Sequence, residues 1–485
     1  MLSMTRRHFL ENSMLATAAL AAAAAPQVIF AEDKPTGAAS NKVRVAVIGC
    51  RVRGRQHVAE LSKVPDVEIV YVCDPDKDLA AELAATVEKQ QVGRPPQAVQ
   101  DMRRIFDDKS VDAVFIATPN HWHALAAIWA MQAGKDVYVE KPVSHNISEG
   151  RRIVQVSRKT GRICQGGTQN RSNMALAEAV EYMKAGKLGE VKLARSIYYG
   201  KRESIGPKGT YELPKNVDYD LFMGPAPLSP LTRKSLHYDW HWVWPTGNGE
   251  LGNNNIHSLD ICRWGLGLTG LGRSAISYGG RYVFGDAGET PNTQVCIFDF
   301  GDKTIVSETR NLQTEPFRAG FAGGWLFHGT EGSIAGTSLF DPAGKLVSTF
   351  SEKRKSENHF ANFINAVRSR KREELNAEIL EGHQSTALCH MGNISWRLGK
   401  EATLAEIGDQ IGKLKVHDNV KETLDRTVKH LHDNKVDVEQ SKLVLGTVLF
   451  PDGERESFAD NAAANTFLTR DYRKPFVVPA EAEVL

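Results

Sequence analysis

Apolar runs of strand length alternate with helix-length amphipathic stretches over the first third of the chain. Lys42–Ile48 (KVRVAVI) and Val67–Cys73 (VEIVYVC) are two such runs. A glycine turn and an apparent helix through Ser62 separate them. Val111–Ala117 and Asp136–Val139 follow, with a helix from Ala124 to Ala133 between them. A helix from about Ile147 to Lys159 and a short strand at Arg162–Gln165 close the alternation. This order predicts a parallel sheet of Rossmann type over residues 42–168, with ligands at the carboxyl ends of its strands. Gly49, Asp74, Thr118 and Lys141 all stand at such ends.

After about Gln169 strand-like runs neighbour one another: Val191–Tyr199, Ala275–Phe284, Thr293–Phe300, Thr304–Thr309 and Trp325–Gly329. Gly301-Asp302 reads as a hairpin turn. Helices are expected at about Glu357–Ser369 and Ile379–Gly399. The fold class is therefore α/β followed by α+β with a large, mostly antiparallel sheet. The second domain is expected over 169–400, and a C-terminal helix with an extended closing segment over 401–485.

The N-terminus has a different texture. Thr5-Arg6-Arg7-His8-Phe9-Leu10 is a twin-arginine pattern, followed by an Ala-rich apolar stretch from Met14 to Ala25. That stretch is shorter than a spanning helix requires. It predicts a signal peptide over 1–31, cleavage near Ala31, and a periplasmic or secreted protein without a stable membrane anchor. Charge adds an exclusion. Sixty Lys and Arg against 58 Asp and Glu leave no basic footprint for nucleic acid. The six cysteines form no C-x-x-C and sit in or beside apolar runs, as buried free thiols do. The histidines lack the spacing of a metal site.

Three stretches carry the chemistry. Gly49-Cys50-Arg51-Val52-Arg53-Gly54 follows a strand, and Asp74 stands 25 residues after Gly49. Such a unit binds a pyrophosphate at the helix start and ribose hydroxyls at the acid. Arg51 replaces the second glycine of that fingerprint. It either grips phosphate itself or weakens dinucleotide binding. Glu140-Lys141-Pro142 ends a strand with an acid, a base and a rigid residue. The third stretch holds Trp240, Trp242 and Trp244, then Asn253-Asn254-Asn255 and His257-x-x-Asp260. On a strand the tryptophans share one face, as an aromatic wall or a core stripe. The asparagines form either part of a site or a capping cluster. His257 and Asp260 share a helical face.

These residues resemble the Gfo/Idh/MocA oxidoreductase family, whose members include glucose–fructose oxidoreductase and inositol dehydrogenase. The resemblance rests on the glycine-turn Rossmann unit, Glu140-Lys141-Pro142, the stretch ATPNHWHALAAIWAMQAGKDVYVEKP and His257-x-x-Asp260. It implies NAD(P)-dependent hydride transfer on a sugar or polyol. Lys141 and His257 become the expected catalytic pair. Gly49, Arg51, Gly54, Asp74, Thr118, Asn120, His121 and Glu140 become cofactor residues. Asn253, Asp260, Gln169, Arg171 and Trp242 are expected to meet substrate. Asn253 stands where the family often has an aspartate, and asparagine does not titrate, so proton transfer falls to Lys141 and His257. NAD is expected because Asp74 repels a 2′-phosphate, while Arg51, Arg53 and Arg55 keep NADP as the alternative. Two further functions share these residues: a redox-neutral glycoside lyase or hydrolase, and a non-catalytic exported binding protein. The expected partners are a small sugar or glycoside and further copies of the chain in a homo-oligomer.

Overall fold

The computed structural model describes residues 42–351 and 357–484. The twin-arginine leader expected at 1–31 thus lies outside the described residues. Six strands form the first sheet: β1 (Val43–Ile48), β2 (Val67–Cys73), β3 (Gln97–Val99), β4 (Ala113–Ile116), β5 (Asp136–Val139) and β6 (Cys164–Gly166). They pair in parallel in the order β3-β2-β1-β4-β5-β6. Nearly every residue of β1, β4 and β5 is buried, as central strands covered by helices on both faces require. Register sets the function of this sheet. Ile48 pairs with Cys73 and with Ile116, and Ile116 with Val139. Gly49, Asp74, Thr118, Glu140 and Lys141 therefore leave the sheet along one edge.

The second sheet has ten strands. They are β7 (Val191–Tyr199), β8 (Ser274–Gly280), β9 (Thr293–Asp299), β10 (Thr304–Arg310), β11 (Gly324–Gly329), β12 (Gly332–Ala335), β13 (Ser338–Phe340), β14 (Leu346–Thr349), β15 (Lys400–Ala402) and β16 (Leu443–Leu445). Their order is β14-β13-β12-β11-β7-β10-β9-β8-β16-β15. All neighbours are antiparallel except β7 and β10. The expected hairpin joins β9 to β10, and Gly301 takes φ +91° in its turn. The strand expected to reach Phe284 stops at Gly280. Gly279, at φ +142°, would place a Cβ 2.1 Å from the Thr293 oxygen, so only glycine fits this close approach.

One face of this sheet packs on the helices Ile256–Leu266 and Ile379–Arg397. Leu259, Cys262, Leu388 and Met391 meet Phe298, Ile305 and Phe327 there. The other face is covered by Leu404–Gly412 and Val420–Asp433, through Ile407, Ile411, Leu424 and Leu431. Residues after 400 thus complete the second layer, where a helix and closing segment were expected. The tail then returns to the first layer, where Phe476 and Val478 join the core around Trp122. All six cysteines are free and buried. No helix among the described residues is long and apolar enough to cross a membrane.

Candidate active site

The strand-end residues line one cavity of about 370 Å³. Gly49, at φ +95°, would put a Cβ 2.4 Å from the Ala117 oxygen. A side chain at Gly54 would sit 1.8 Å from the Gly49 oxygen, so the helix Val52–Leu61 lies directly on the turn. Gly54 acts through this packing, since it does not itself line the cavity. No side chain caps that helix, and Arg51 and Val52 are exposed at its start. Its first N–H groups are therefore available to an anion. Asp74 accepts from Cys50 N (2.8 Å) and Asp76 N (2.9 Å). Burial raises its pKa, against the lowering effect of those two donors. Thr118 Oγ1 is buried in the cavity wall without a partner among the described residues. A glycine cradle, an uncapped helix start, a strand-end acid and an orphaned hydroxyl fit a dinucleotide. The pyrophosphate would lie at Arg51 and the helix start, and a ribose at Asp74.

Glu140 is the hub of the next part. Its Oε1 accepts from Arg53 Nε (2.7 Å), His57 Nε2 (3.0 Å) and Gln169 Nε2 (3.0 Å). Burial works against its charge. Arg53, then the His57 bond and Lys141, override burial and hold the carboxyl well below its usual range. Lys141 Nζ donates to the Asn253 carbonyl at 2.5 Å, across the junction of the two sheets. Burial lowers the Lys141 pKa; Glu140 opposes this, and Arg53 adds to it. His257 faces the same cavity, and burial followed by the charge of Lys141 lowers its pKa to about 3. It is neutral near pH 7, able to hold a hydroxyl or relay a proton. Asn120 lines the cavity and donates to Asn248 Oδ1 at 3.0 Å.

Asn253 stands on a π-helical turn, Leu251–Asn255, that runs into the helix Ile256–Leu266. The asparagines thus belong to the turn itself, where a cap was the alternative. Such turns occur often at functional sites. The tryptophans do not share a strand face, because Asp239–Trp242 is a 3₁₀ turn. Trp240 lines the cavity, stacked on His241 at 3.5 Å. Trp242 is turned away, packed with Ile205 and Ala287 under the Arg202 guanidinium at 5.5 Å. It does not line this cavity, where a substrate contact was expected.

Three more expected site residues lie elsewhere. Arg171 and Asp260 bond each other at 2.8 and 2.9 Å, and Ser385 Oγ donates to Asp260 at 2.6 Å. Both are buried and neither lines the cavity, so they brace the helix Ile256–Leu266 from behind. His121 is buried against the carbonyls of Phe222 (2.9 Å) and Thr246 (3.3 Å), and fastens a loop rather than facing cofactor. Gln169 does line the cavity, but its amide is committed to Glu140 and the Tyr138 hydroxyl (2.7 Å).

Of the strap, residues 200–250, which links β7 to the π-turn, sequence reasoning singled out only the tryptophan stretch and missed the rest. Its inner side presents Phe222, His237, Tyr238, Trp240 and His241 to the cavity. It is pinned to the end of β2. Lys77 N donates to Asn216 O (3.0 Å) and Asp218 N to Pro75 O (2.9 Å). Asp76 accepts from Asn216 Nδ2 (2.6 Å) and pairs with His237 Nε2 (3.0 Å). Tyr238 has φ +69° and ψ −49°, with Asp239 N bonded to His237 O at 2.9 Å. This is a γ-turn of the strained, positive-φ kind, held at the cavity wall. Arg202 donates to the Tyr238 hydroxyl at 3.0 Å and pairs with Glu250. Glu250 had one signal in the sequence: it precedes Asn253 and Asn254 by three and four positions, the spacing of side chains that meet on a helix.

Fold and cavity define a dinucleotide-binding protein of two sheets, with an acid–lysine pair where the sheets meet. Two family models match: the oxidoreductase family NAD-binding Rossmann fold over residues 43–168, and the oxidoreductase family C-terminal alpha/beta domain over 196–429. The chain belongs to the Gfo/Idh/MocA oxidoreductase family and carries its NAD-binding Rossmann domain. It is 32% identical over 160 residues to scyllo-inositol 2-dehydrogenase (NAD(+)) of Bacillus subtilis, covering 33% of this chain and 44% of that protein. It is 31% identical over 177 residues to a glycosyl hydrolase family 109 protein of Shewanella pealeana, covering 34% and 39%. The match thus spans less than half of either relative. Among solved structures, the WlbA dehydrogenase of Bordetella pertussis in complex with NADH and UDP-GlcNAcA shares the fold. It has a TM-score of 0.54 at 19% identity, covering 72% of this chain and 94% of that one.

Proposed function

We propose that the protein is an NAD-dependent oxidoreductase acting on a hydroxyl of a sugar, polyol or glycoside, and that it keeps its cofactor between turnovers. The observation that carries this reading is Lys141. It stands at a strand end, in the cavity with Gly49 and Asp74, and reaches across to the turn that presents Asn253 and His257. Oxidising a secondary alcohol removes a hydride and a proton. Bound NAD supplies the hydride acceptor. The proton needs a base within hydrogen-bond reach. An ordinary lysine is too strongly protonated for this role at neutral pH, and burial shifts Lys141 in the required direction. His257, neutral in this setting, holds the hydroxyl. Asp74 favours NAD over NADP, because its carboxylate repels a 2′-phosphate. A panel of sugars and polyols, assayed with NAD-loaded protein for new carbonyl products, tests the reading. No oxidation or exchange on any member would sink it.

The strap supports retention. To release a dinucleotide lying at Asp74, the chain must loosen the fastening of residues 216–218 and His237 to Pro75 and Asp76. Replacing His237 by Phe together with Asn216→Ala should speed NAD release about 10- to 100-fold, since both bonds are to a charged group. Release is read by trapping NAD from pre-loaded protein with excess enzyme that consumes it. An unchanged rate would show that the strap does not limit exit.

A redox-neutral glycoside lyase or hydrolase, in which one sugar is oxidised, cleaved and reduced within a cycle, is the second reading. It draws support from the glycosyl hydrolase family 109 relative, and a resident cofactor suits it equally. Export by the twin-arginine route would carry a folded, loaded protein to the periplasm, where a retained NAD is an advantage.

A further inference from the structure

Glu250 stands just before the π-turn, its side chain out of reach of solvent. Its carboxylate accepts from Arg202 Nε (2.8 Å) and Nη2 (3.1 Å), from Asn311 Nδ2 (3.4 Å), from Asn253 Nδ2 (3.2 Å), and from Asn254 Nδ2. A carboxylate facing a guanidinium offers lone pairs and no proton. Any amide that approaches it must turn its NH₂ group inward, and its carbonyl oxygen then faces away. For Asn253 and Asn254, both of which line the cavity, that leaves two carbonyl oxygens on the cavity side. No hydrogen bond reaches either oxygen among the described residues. Arg202 balances the charge of Glu250, so a ligand meets two acceptor dipoles here rather than an ion. The Lys141 ammonium lies beside them, on the backbone oxygen of Asn253.

We propose that Glu250 is a positioning residue that locks Asn253 and Asn254 as paired hydroxyl acceptors beside Lys141. The pair selects an uncharged vicinal diol of a sugar or polyol and disfavours a carboxylate at the same place. Two acceptors with no free proton can bond two hydroxyl donors, but can only repel the lone pairs of an anion. The assignment rests on the reading of the cavity as a sugar or polyol site. Its test reads binding and needs no turnover, so a protein that binds diols without oxidising them would count against the oxidoreductase reading alone.

NAD-loaded protein is titrated calorimetrically with myo-inositol, glucose, N-acetylgalactosamine and, as the carboxylate counterpart of glucose, glucuronate. At least one neutral member should bind, and glucuronate should bind about tenfold or more weakly than glucose. Glu250→Gln keeps the shape but adds an NH₂ donor, so one asparagine must reverse. Affinity for the neutral ligand should fall about tenfold, the scale of one hydrogen bond lost. NAD affinity should stay close to that of the parent, while the melting temperature falls because Arg202 loses its charged partner. Adding Asn254→Asp to Glu250→Gln supplies an acceptor to both the new amide and the cavity, and should recover most of the loss. If Glu250→Gln does not fold, Asn254→Leu removes one acceptor without touching Glu250 and should cause the same fall. The proposal is overturned if only glucuronate binds, if no neutral member binds, or if the folded variants bind the neutral ligand as the parent does. A Glu250→Gln loss that Asn254→Asp does not recover would also overturn it, since that is the signature of general disruption.

Discussion

Replacing Lys141 by alanine should lower turnover about 10²–10⁴-fold, the usual contribution of a positioned base, while NAD still binds. The side chain is placed for the role and not for cofactor affinity. Its ammonium meets the Asn253 carbonyl, whereas the glycine turn, Asp74 and Thr118 lie along the rest of the cavity. The pH profile carries the sign of the mechanism. A base must be unprotonated to take the alcohol proton, so the oxidation rate rises with pH through the Lys141 pKa. Burial sets that pKa below the ordinary lysine value; Glu140 opposes the shift and Arg53 adds to it. His257 titrates near 3 and does not shape the neutral range. The rising limb should therefore disappear in Lys141→Ala and persist in His257→Asn. Stopped-flow measurement of bound NADH formation in both variants checks this. A Lys141→Ala protein with a near-normal rate and an unchanged limb would remove lysine from the mechanism.

Arg171→Leu should destabilise the fold by about 3–5 kcal/mol, the cost of stranding one member of a buried ion pair. Asp260 has no exposed surface. Burial works against its charge, and Arg171, by charge and by hydrogen bond, overrides that and lowers its pKa. Without the guanidinium, Ser385 and the charge of Arg263 remain as partial compensation. The loss should thus lie toward the lower end of that range. Adding Asp260→Leu should return part of it, because two apolar side chains need no partners. Urea unfolding of the three variants reads both effects. A loss below about 1 kcal/mol, outside the range for a broken buried pair, would contradict a bracing role.

Periodicity made most of the fold legible. The parallel sheet follows from short runs such as VRVAVI and DVYV, which only a sheet buried on both faces accommodates. The order of glycine, acid and lysine at successive strand ends placed the cavity before any geometry was known. Less legible was every residue whose role depends on a long-range partner. Asp260 looked like a site residue because it shares a helical face with His257, yet Arg171, 89 positions earlier, claims it. Trp240 and Trp242 were read on a strand's period of two, and the γ-turn at Tyr238 with its 3₁₀ turn breaks that period. Ahead of Tyr238 the strap has neither a strong apolar rhythm nor a motif. Its part in the cavity depends on backbone bonds to Pro75 and Lys77 that side-chain patterns do not encode.

The proposed reaction is hydride transfer between a sugar hydroxyl carbon and an NAD that stays in the protein. The most direct test starts with protein purified without added nucleotide and freed of small molecules by gel filtration. Its tightly held nucleotide is identified by mass after denaturation. The same loaded protein is then given a sugar deuterated at its hydroxyl-bearing carbons, with no free NAD present. NAD is expected as the bound species, with deuterium on the nicotinamide ring recovered from the protein. Protein that carries no dinucleotide, or that forms product only as free NADH accumulates from added NAD, would contradict it.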